Sequence, residues 1–232
     1  VERASGRWDQ SVGAARWFQR PLEATKLEQW EEYSPHWYQG NILVDANLPL
    51  SSLEQLDQLL REPSNPATGR QRYILGGVLL ERIWHWRGEA REAVLGFVVR
   101  HPQRQAETLM EGLGFGLLWS QGAEVVNAVG KLAPDGPLDP VRLQRRLVFG
   151  MGRGVRLPTL FSRRPTYCAV HLPAWLRPIH AEGLGYGLRC RFLGPSIPRA
   201  VLDAVCPTLR GAVLSGASRR HRCEDPPPSE AR

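Results

Sequence analysis

One stretch decides the fold of this chain: Pro102-Gln-Arg-Gln-Ala-Glu-Thr-Leu-Met-Glu-Gly112-Leu-Gly114-Phe-Gly116-Leu-Leu-Trp119. In it a proline stands ten residues before a Gly-x-Gly-x-Gly triplet, and the chain repeats this arrangement twice. The second copy begins at Pro140 and ends in Gly150-Met-Gly-Arg-Gly154, and the third begins at Pro173 and ends in Gly183-Leu-Gly-Tyr-Gly187. The copies begin 38 and 33 residues apart, which is typical of a supersecondary repeat.

The residues before each triplet favour a helix. Proline in the first helical turn loses no hydrogen bond, and Asp139, just before Pro140, is a strong N-cap. Stretches such as Arg-Gln-Ala-Glu-Thr-Leu-Met-Glu are better helix than strand formers. One stripe of each copy then recurs at every fourth position, as Leu109, Leu113, Leu117; Leu147, Met151, Val155; and His180, Leu184, Leu188. We therefore predict a mostly α fold, a helical repeat or bundle with three Gly-x-Gly-x-Gly units.

The outer two glycines of each triplet are four residues apart, so in a helix they share one face. Such a face lets another backbone approach closely. Close packing must then offset roughly 3 kcal/mol per copy, because three interior glycines weaken a helix by that amount relative to alanine. The alternative is an α+β fold with the triplets as strands, since Gly-Leu-Gly-Phe-Gly-Leu also alternates with period two.

Length and composition indicate a globular chain. Its 232 residues are 42% hydrophobic and 23% charged, with a net charge of +7. No apolar run approaches the eighteen residues of a transmembrane helix, and the start of the chain lacks an apolar signal region. The four cysteines are sparse and widely spaced, unlike those of a secreted disulfide scaffold. We expect a cytoplasmic protein with reduced thiols.

Three regions follow from the pattern of the chain. Residues 1–66 form an aromatic-rich N-terminal region, in which Ser51-Ser-Leu-Glu54 is a capping box that opens a helix. Residues 67–214 form the helical-repeat domain, whose last helix we place at Pro198–Leu214. Residues 215–232 are small, charged and rich in proline, and we expect them to be a disordered tail.

Some candidate chemistry depends on carboxylates and histidine. Glu111 and Glu182 stand just before their triplets, and Phe149 takes that place in the second copy. Two carboxylates in equivalent positions could face one cavity as acid and base, or they could be solvated or paired with arginines. His85 lies between Trp84 and Trp86, where it could line a ligand pocket. No Gly-x-Ser-x-Gly or His-Glu-x-x-His motif is found.

Other motifs resemble cofactor and metal sites only in part. In a phosphate-binding loop the glycines come before the helix, whereas here the helical pattern comes first. Cys168-x-x-His171, with His180 and Cys190 downstream, has ligand types that suit zinc, but the spacing matches no zinc knuckle. We therefore predict no cofactor and no metal.

The second copy is rich in arginine. The helical pattern places these arginines on several sides, which is usual for a solvated surface, whereas an anion-binding groove would need them on one side. They are Arg142, Arg145, Arg146, Arg153 and Arg156.

The three glycine segments resemble stretches of a bacterial family of unknown function found in enediyne polyketide biosynthetic gene clusters. The similar segments, in the same order, are Leu109-Met-Glu-Gly-Leu-Gly-Phe-Gly-Leu117, Phe149-Gly-Met-Gly-Arg153-Gly and Glu182-Gly-Leu-Gly-Tyr-Gly187. The resemblance covers about residues 90–195. Val148-Phe149 departs from the polar pair of the family. The family has no established catalytic residues. The resemblance implies a bacterial, cytoplasmic protein linked to specialised metabolism.

The first functional hypothesis is a non-catalytic accessory protein that binds a hydrophobic small molecule or a partner protein. Its candidate ligand-binding residues are rings, carboxylates and a guanidinium group at or near the repeats: Trp84, His85, Trp86, Glu111, Phe115, Trp119, Arg153, Glu182 and Tyr186. The second hypothesis is an enzyme of unrecognised type that uses Glu111, Glu182 or His85. The third is a basic adaptor for nucleic acid or an anionic membrane, whose binding would fall steeply with salt.

Overall fold

The computed structural model describes the greater part of the chain between residues 53 and 219. The described ranges are 53–61, 73–74, 76–81, 91–117, 119–132, 136–155, 167–192 and 197–219. The aromatic stretch before residue 53, the Trp84-His85-Trp86 stretch and the tail from residue 220 lie outside these residues.

The described residues are mostly helical. The helices are α1 (Leu53–Arg61), α2 (Arg91–Val99), α3 (Gln103–Gly116), α4 (Trp119–Gly130), α5 (Pro140–Gly154), α6 (Arg177–Phe192), α7 (Arg199–Asp203) and α8 (Pro207–Ser218). A 3₁₀ turn at Ala174–Leu176 precedes α6. Residues 73–74 and 76–81 are also helical and are named the leading segment. The mostly α prediction is confirmed, and the three glycine triplets lie in α3, α5 and α6.

Local sequence determines two helix boundaries, the start of α5 and the break between α7 and α8. The Asp139 side chain caps α5 as expected, accepting hydrogen bonds from the backbone amides of Val141 (2.9 Å) and Arg142 (3.2 Å). The single helix predicted over Pro198–Leu214 is wrong. It is split between α7 and α8, because Cys206 is extended (φ −49°, ψ 131°) before Pro207, and a residue before proline disfavours the helical conformation.

The glycines of each triplet face in two directions. Because a helix turns by about 100° per residue, positions two apart point to nearly opposite sides. A Cβ atom added to Gly112 would lie 1.9 Å from the carbonyl oxygen of Ile74 in the leading segment. One added to Gly114 would lie 1.9 Å from the carbonyl oxygen of Leu147 in α5. The first glycine therefore contacts the preceding helix and the middle glycine the following one, backbone to backbone.

The same contact recurs along the chain in one register. An added Cβ would meet a neighbouring carbonyl oxygen at 1.8–2.0 Å at every first or middle position: Gly77 at Leu109, Gly150 at Glu111, Gly152 at His180, Gly183 at Phe149, Gly185 at Val213 and Gly216 at Glu182. The leading segment, α3, α5, α6 and α8 therefore lie side by side in this order, and we name this layer the helix row. The sequence predicted three copies, and the described residues add one helix at each end.

The row has two further faces. Relative to the first glycine of each of α3, α5 and α6, the residues three before, one after and five after lie on one side of the row, which we name the apolar face. These are the nine residues of the stripe predicted from the sequence. All nine are buried, so that prediction is confirmed. Helix α4 covers part of this face, since Gly122 lies directly against the side chain of Met151. An ion pair between Arg91 and Glu124 (2.9 Å) joins helices α2 and α4.

Candidate functional site

The opposite side of the row, which we name the charged face, carries ionic and aromatic side chains. It is formed by the position just before the first glycine and the position three after it. Its residues are Glu111 and Phe115 of α3, Phe149 and Arg153 of α5, Glu182 and Tyr186 of α6, and Arg219 just after α8. All are buried except Arg219, which is half-buried. A buried layer of this composition is unusual, because ionised side chains are almost never fully buried unless they are paired.

Glu111 is the centre of the first ion-pair group. Its Oε1 accepts a hydrogen bond from Arg153 Nη1 at 2.8 Å, and its Oε2 accepts one from Arg146 Nη1 at 3.3 Å. Glu111 is only 1% exposed and Arg153 3%. One turn earlier on α3, Glu107 accepts from Gln103 at 2.8 Å and pairs with Arg142 at 2.8 Å. The carboxylates of α3 thus bind the arginines of α5 along the whole contact between the two helices.

Aromatic rings pack against these arginines. The guanidinium carbon of Arg153 lies 4.9 Å from the ring centroid of Tyr186 and 5.9 Å from that of Phe115. The rings of Tyr186 and Phe149 are 5.8 Å apart. Arg219 lies 5.4 Å over the ring of Phe149. One continuous network of charges and rings therefore crosses α3, α5 and α6 and reaches the end of α8.

Glu182 is the centre of the second ion-pair group. Its Oε1 accepts a hydrogen bond from Arg219 Nε at 2.8 Å, and Arg219 Nη2 approaches the same oxygen. This pair matches the Glu111–Arg153 pair position for position. In both, a glutamate just before the first glycine binds an arginine three residues after the first glycine of the next helix. The α6–α8 pair therefore repeats the α3–α5 pair, and the charged face has a period of two helices.

Sequence reasoning missed Arg219, which lies beyond the predicted start of the tail at residue 215. Gly216-Ala-Ser218 lacks a full glycine triplet, so the fourth unit was not recognised. The spacing was a usable signal, because Gly216 follows Gly183 by 33 residues and Arg219 follows Gly216 as Arg153 follows Gly150.

The predicted site residues that the structure describes come together on the charged face. Glu111, Phe115, Arg153, Glu182 and Tyr186 all lie there. The predicted residues Trp84, His85 and Trp86, and the side chain of Trp119, lie outside the described part.

The arginines of α5 differ from the expectation of a solvated surface, which is wrong for two of them. Arg146 and Arg153 are buried, and Arg142, Arg146 and Arg153 project from one side of α5, in the direction of the charged face, rather than from several sides. Arg145 is half-buried, and Arg156 lies outside the described residues. Because Glu107 and Glu111 bind the arginines of this face, its positive charge is largely neutralised where it is buried.

These contacts decide what the carboxylates can do. Both oxygens of Glu111 accept hydrogen bonds from guanidinium groups, which are the strong, charge-assisted kind. Glu182 has its own arginine on the other side of α5. Glu111 would have to break an ion pair before it could accept a proton from a substrate, and Glu182 is held by Arg219 through Oε1. The arrangement therefore matches arginine-paired structural carboxylates, the second interpretation of the sequence.

A separate buried group lies on the apolar face at α6. The Tyr167 hydroxyl is 2.9 Å from Nδ1 of His180, and the rings of His171 and His180 are 6.0 Å apart. His180 is fully buried, and burial, with a smaller contribution from His171, lowers its pKa to about 3. The imidazole is therefore neutral in the fold, and it acts as a hydrogen-bonding core residue.

Within the described ranges, no three His, Cys, Asp or Glu side chains lie close enough together to hold a metal ion. In the same part of the chain, no helix has the length and apolar character needed to cross a bilayer. Comparison with known proteins found no matching family model, no similar curated protein and no similar solved structure.

Proposed function

We propose that this chain is a non-catalytic helical-repeat accessory protein that binds a partner protein by accepting a partner helix at the end of the helix row. The observation that supports this proposal is the outer side of α8. That side carries the positions that, in α3, α5 and α6, are covered by the next helix of the row.

The exposed positions of α8 share one direction. Gly216 faces α6. At 100° per residue, Gly211, Leu214 and Ser218 are rotated from Gly216 by between 160° and 220° about the axis of α8, so they point away from α6. Leu214 is 47% exposed, and an added Cβ atom on Gly211 would find no atom within 4 Å. Ser218 takes the place of the middle glycine and is exposed. The last helix therefore presents a small, partly apolar side to solvent.

Energetics favour an occupant of this side. An exposed glycine inside a helix weakens it by about 1 kcal/mol relative to alanine, without a packing contact in return. In the rest of the row, close backbone contact offsets that loss. A partner helix with small residues four apart would restore the same contact at Gly211 and would cover Leu214.

A partner protein is favoured over a small molecule bound between the helices. At the glycine positions of the row the backbones already touch, so no ligand fits between neighbouring helices there. The rings and charges of the charged face are engaged with one another. In keeping with the resemblance in the repeats, we propose that the partner belongs to bacterial specialised metabolism and that both proteins are cytoplasmic.

Site-specific photo-crosslinking in the source cells tests this proposal. The photo-reactive residue p-benzoylphenylalanine replaces Leu214 or, as a matched control, Val141, which is 49% exposed on α5. We expect one discrete crosslinked protein from position 214 and none from position 141. The identified protein is then purified and its binding measured. Gly211→Leu and Leu214→Arg should weaken binding about tenfold or more, roughly 1.4 kcal/mol, while Val141→Arg leaves it unchanged.

Two results would count against the proposal. One is the same crosslinking pattern at positions 214 and 141, or equal binding by all the variants. The other is a bound small molecule in the native mass spectrum of the purified chain whose occupancy is lost in Leu214→Arg. That result would support the hydrophobic ligand of the first hypothesis instead.

A further inference from the structure

Two cysteines from distant parts of the chain lie side by side. Tyr167 and Val205 form an isolated parallel bridge, with Tyr167 N donating to Ala204 O and Cys206 N donating to Tyr167 O, both at 2.9 Å. In a parallel pairing the next residues on each strand also stand opposite each other, about 4.8 Å apart, with their side chains on the same side. Those residues are Cys168 and Cys206. The usual spacing of paired strands, about 4.8 Å, lies within the Cα–Cα range of about 4.4–6.8 Å that a disulfide requires.

The two thiols also interact directly, and their environments differ. The hydrogen bond between them raises the pKa of Cys168 and lowers that of Cys206. Cys206 is the N-cap residue of α8, and its Sγ accepts a hydrogen bond from Thr208 Oγ1 at 3.6 Å, which lowers its pKa further. A thiolate is favoured at a helix N-terminus. Both cysteines are half-buried, so a small oxidant reaches them.

We propose that Cys168 and Cys206 are a redox-active pair that a hydroperoxide converts to a disulfide. The Cys206 thiolate attacks one oxygen of hydrogen peroxide, the O–O bond breaks, and Cys206 becomes a sulfenic acid, while the departing hydroxide takes up the proton that the thiol had lost and becomes the first water. The sulfur of Cys168 then attacks the sulfenic sulfur, the S–S bond forms, and a second water leaves. The two thiols lose two electrons and two protons, and the peroxide is reduced to two waters. A dithiol reductant reverses the reaction by exchange.

The disulfide would join two segments that hold the last helices of the row. Cys168 follows Tyr167, which contacts His180 in α6, and Cys206 begins α8. Oxidation would therefore tie the α6 side of the row to the α8 side. The pair is inferred from its own geometry and does not depend on the proposed binding of a partner.

Peptide mapping of the oxidised full-length chain tests the pair. The chain is treated with stoichiometric hydrogen peroxide, remaining thiols are alkylated, and the protein is digested with trypsin. The expected product is peptide 164–189 linked to peptide 200–210, because the Arg–Pro bonds at 164 and 177 resist trypsin. The linked product should disappear after reduction. The melting temperature of the oxidised chain should rise by several degrees, as for a cross-link that closes a loop of this length.

Single variants assign the two roles and control for the other cysteines. Cys168→Ser should stop at a sulfenic acid on Cys206 that dimedone traps. Cys206→Ser should slow the reaction with peroxide about tenfold, and Thr208→Ala should slow it less. The double variant Cys190→Ser and Cys223→Ser should leave the 164–189 to 200–210 link unchanged. Disulfides that involve only Cys190 or Cys223, or equal peroxide reactivity of the Cys168→Ser and Cys206→Ser variants, would overturn the proposal.

Discussion

Replacing Gly114 by alanine should destabilise the protein, although alanine is the better helix former. The new Cβ atom would lie 1.9 Å from the carbonyl oxygen of Leu147, where ordinary contact begins near 3.4 Å. Helices α3 and α5 would have to separate by roughly 1.5 Å. A gap of about 0.5–1 Å already forfeits a quarter to a half of the dispersion energy of the contacts that it opens, and this gap is wider. We expect a loss of about 2–4 kcal/mol, after a gain of about 1 kcal/mol in helix propensity.

Urea unfolding followed by far-ultraviolet circular dichroism measures this effect. Gly96→Ala is the matched control, because an added Cβ atom there meets nothing within 4 Å, and it should stabilise the protein by up to about 1 kcal/mol. Gly154→Ala should fall between the two, since its Cβ would lie 2.5 Å from the carbonyl oxygen of Phe115. The critical result is that the free energy of unfolding decreases in the order Gly96→Ala, Gly154→Ala, Gly114→Ala. A Gly114→Ala protein as stable as Gly96→Ala would refute backbone contact as the basis of the row.

Two further predictions concern buried ionisable side chains. Because the pKa of His180 falls from 6.5 to about 3 on folding, the unfolded chain binds one more proton between these values. The free energy of unfolding should therefore decrease by up to about 1.4 kcal/mol for each pH unit below 6.5. The Tyr167→Phe, His180→Leu double variant should reduce this slope, and an unchanged slope in that variant would contradict the assignment to His180. Arg153→Met should cost about 3–5 kcal/mol by leaving a buried carboxylate with one arginine fewer. Adding Glu111→Gln should recover much of that loss, whereas strictly additive effects in the double-mutant cycle would show that the two residues are not coupled.

The sequence predicted those parts of the fold that depend on local periodicity. The helices around the triplets, the Asp139 cap and the buried stripe all follow from spacings within one helix, and all are confirmed. That the leading segment and α8 continue the row was not predicted, because Gly77 and Gly216 have no complete triplet around them. A single glycine does not indicate which backbone approaches it.

The charged face was predicted only in part for a similar reason. Its residues could be named as candidates, but their pairing joins residues on different helices, such as Glu111 with Arg153 and Glu182 with Arg219. No local period encodes such a contact. Whether an arginine near a triplet is solvated or buried depends on the register between helices, and here that register is fixed by the glycines.

The glycine contacts have a consequence for how such a chain can vary. Where two helices meet through side chains, the distance between their axes changes with every substitution at the interface. Here the main-chain atoms of neighbouring helices meet directly, so the distance is set by van der Waals contact between peptide groups, whose size is the same in every protein. The units of two helices, each with its glutamate and its arginine, therefore have equivalent geometry. Duplicating or deleting one unit would lengthen or shorten the layer while leaving every remaining junction in its original geometry.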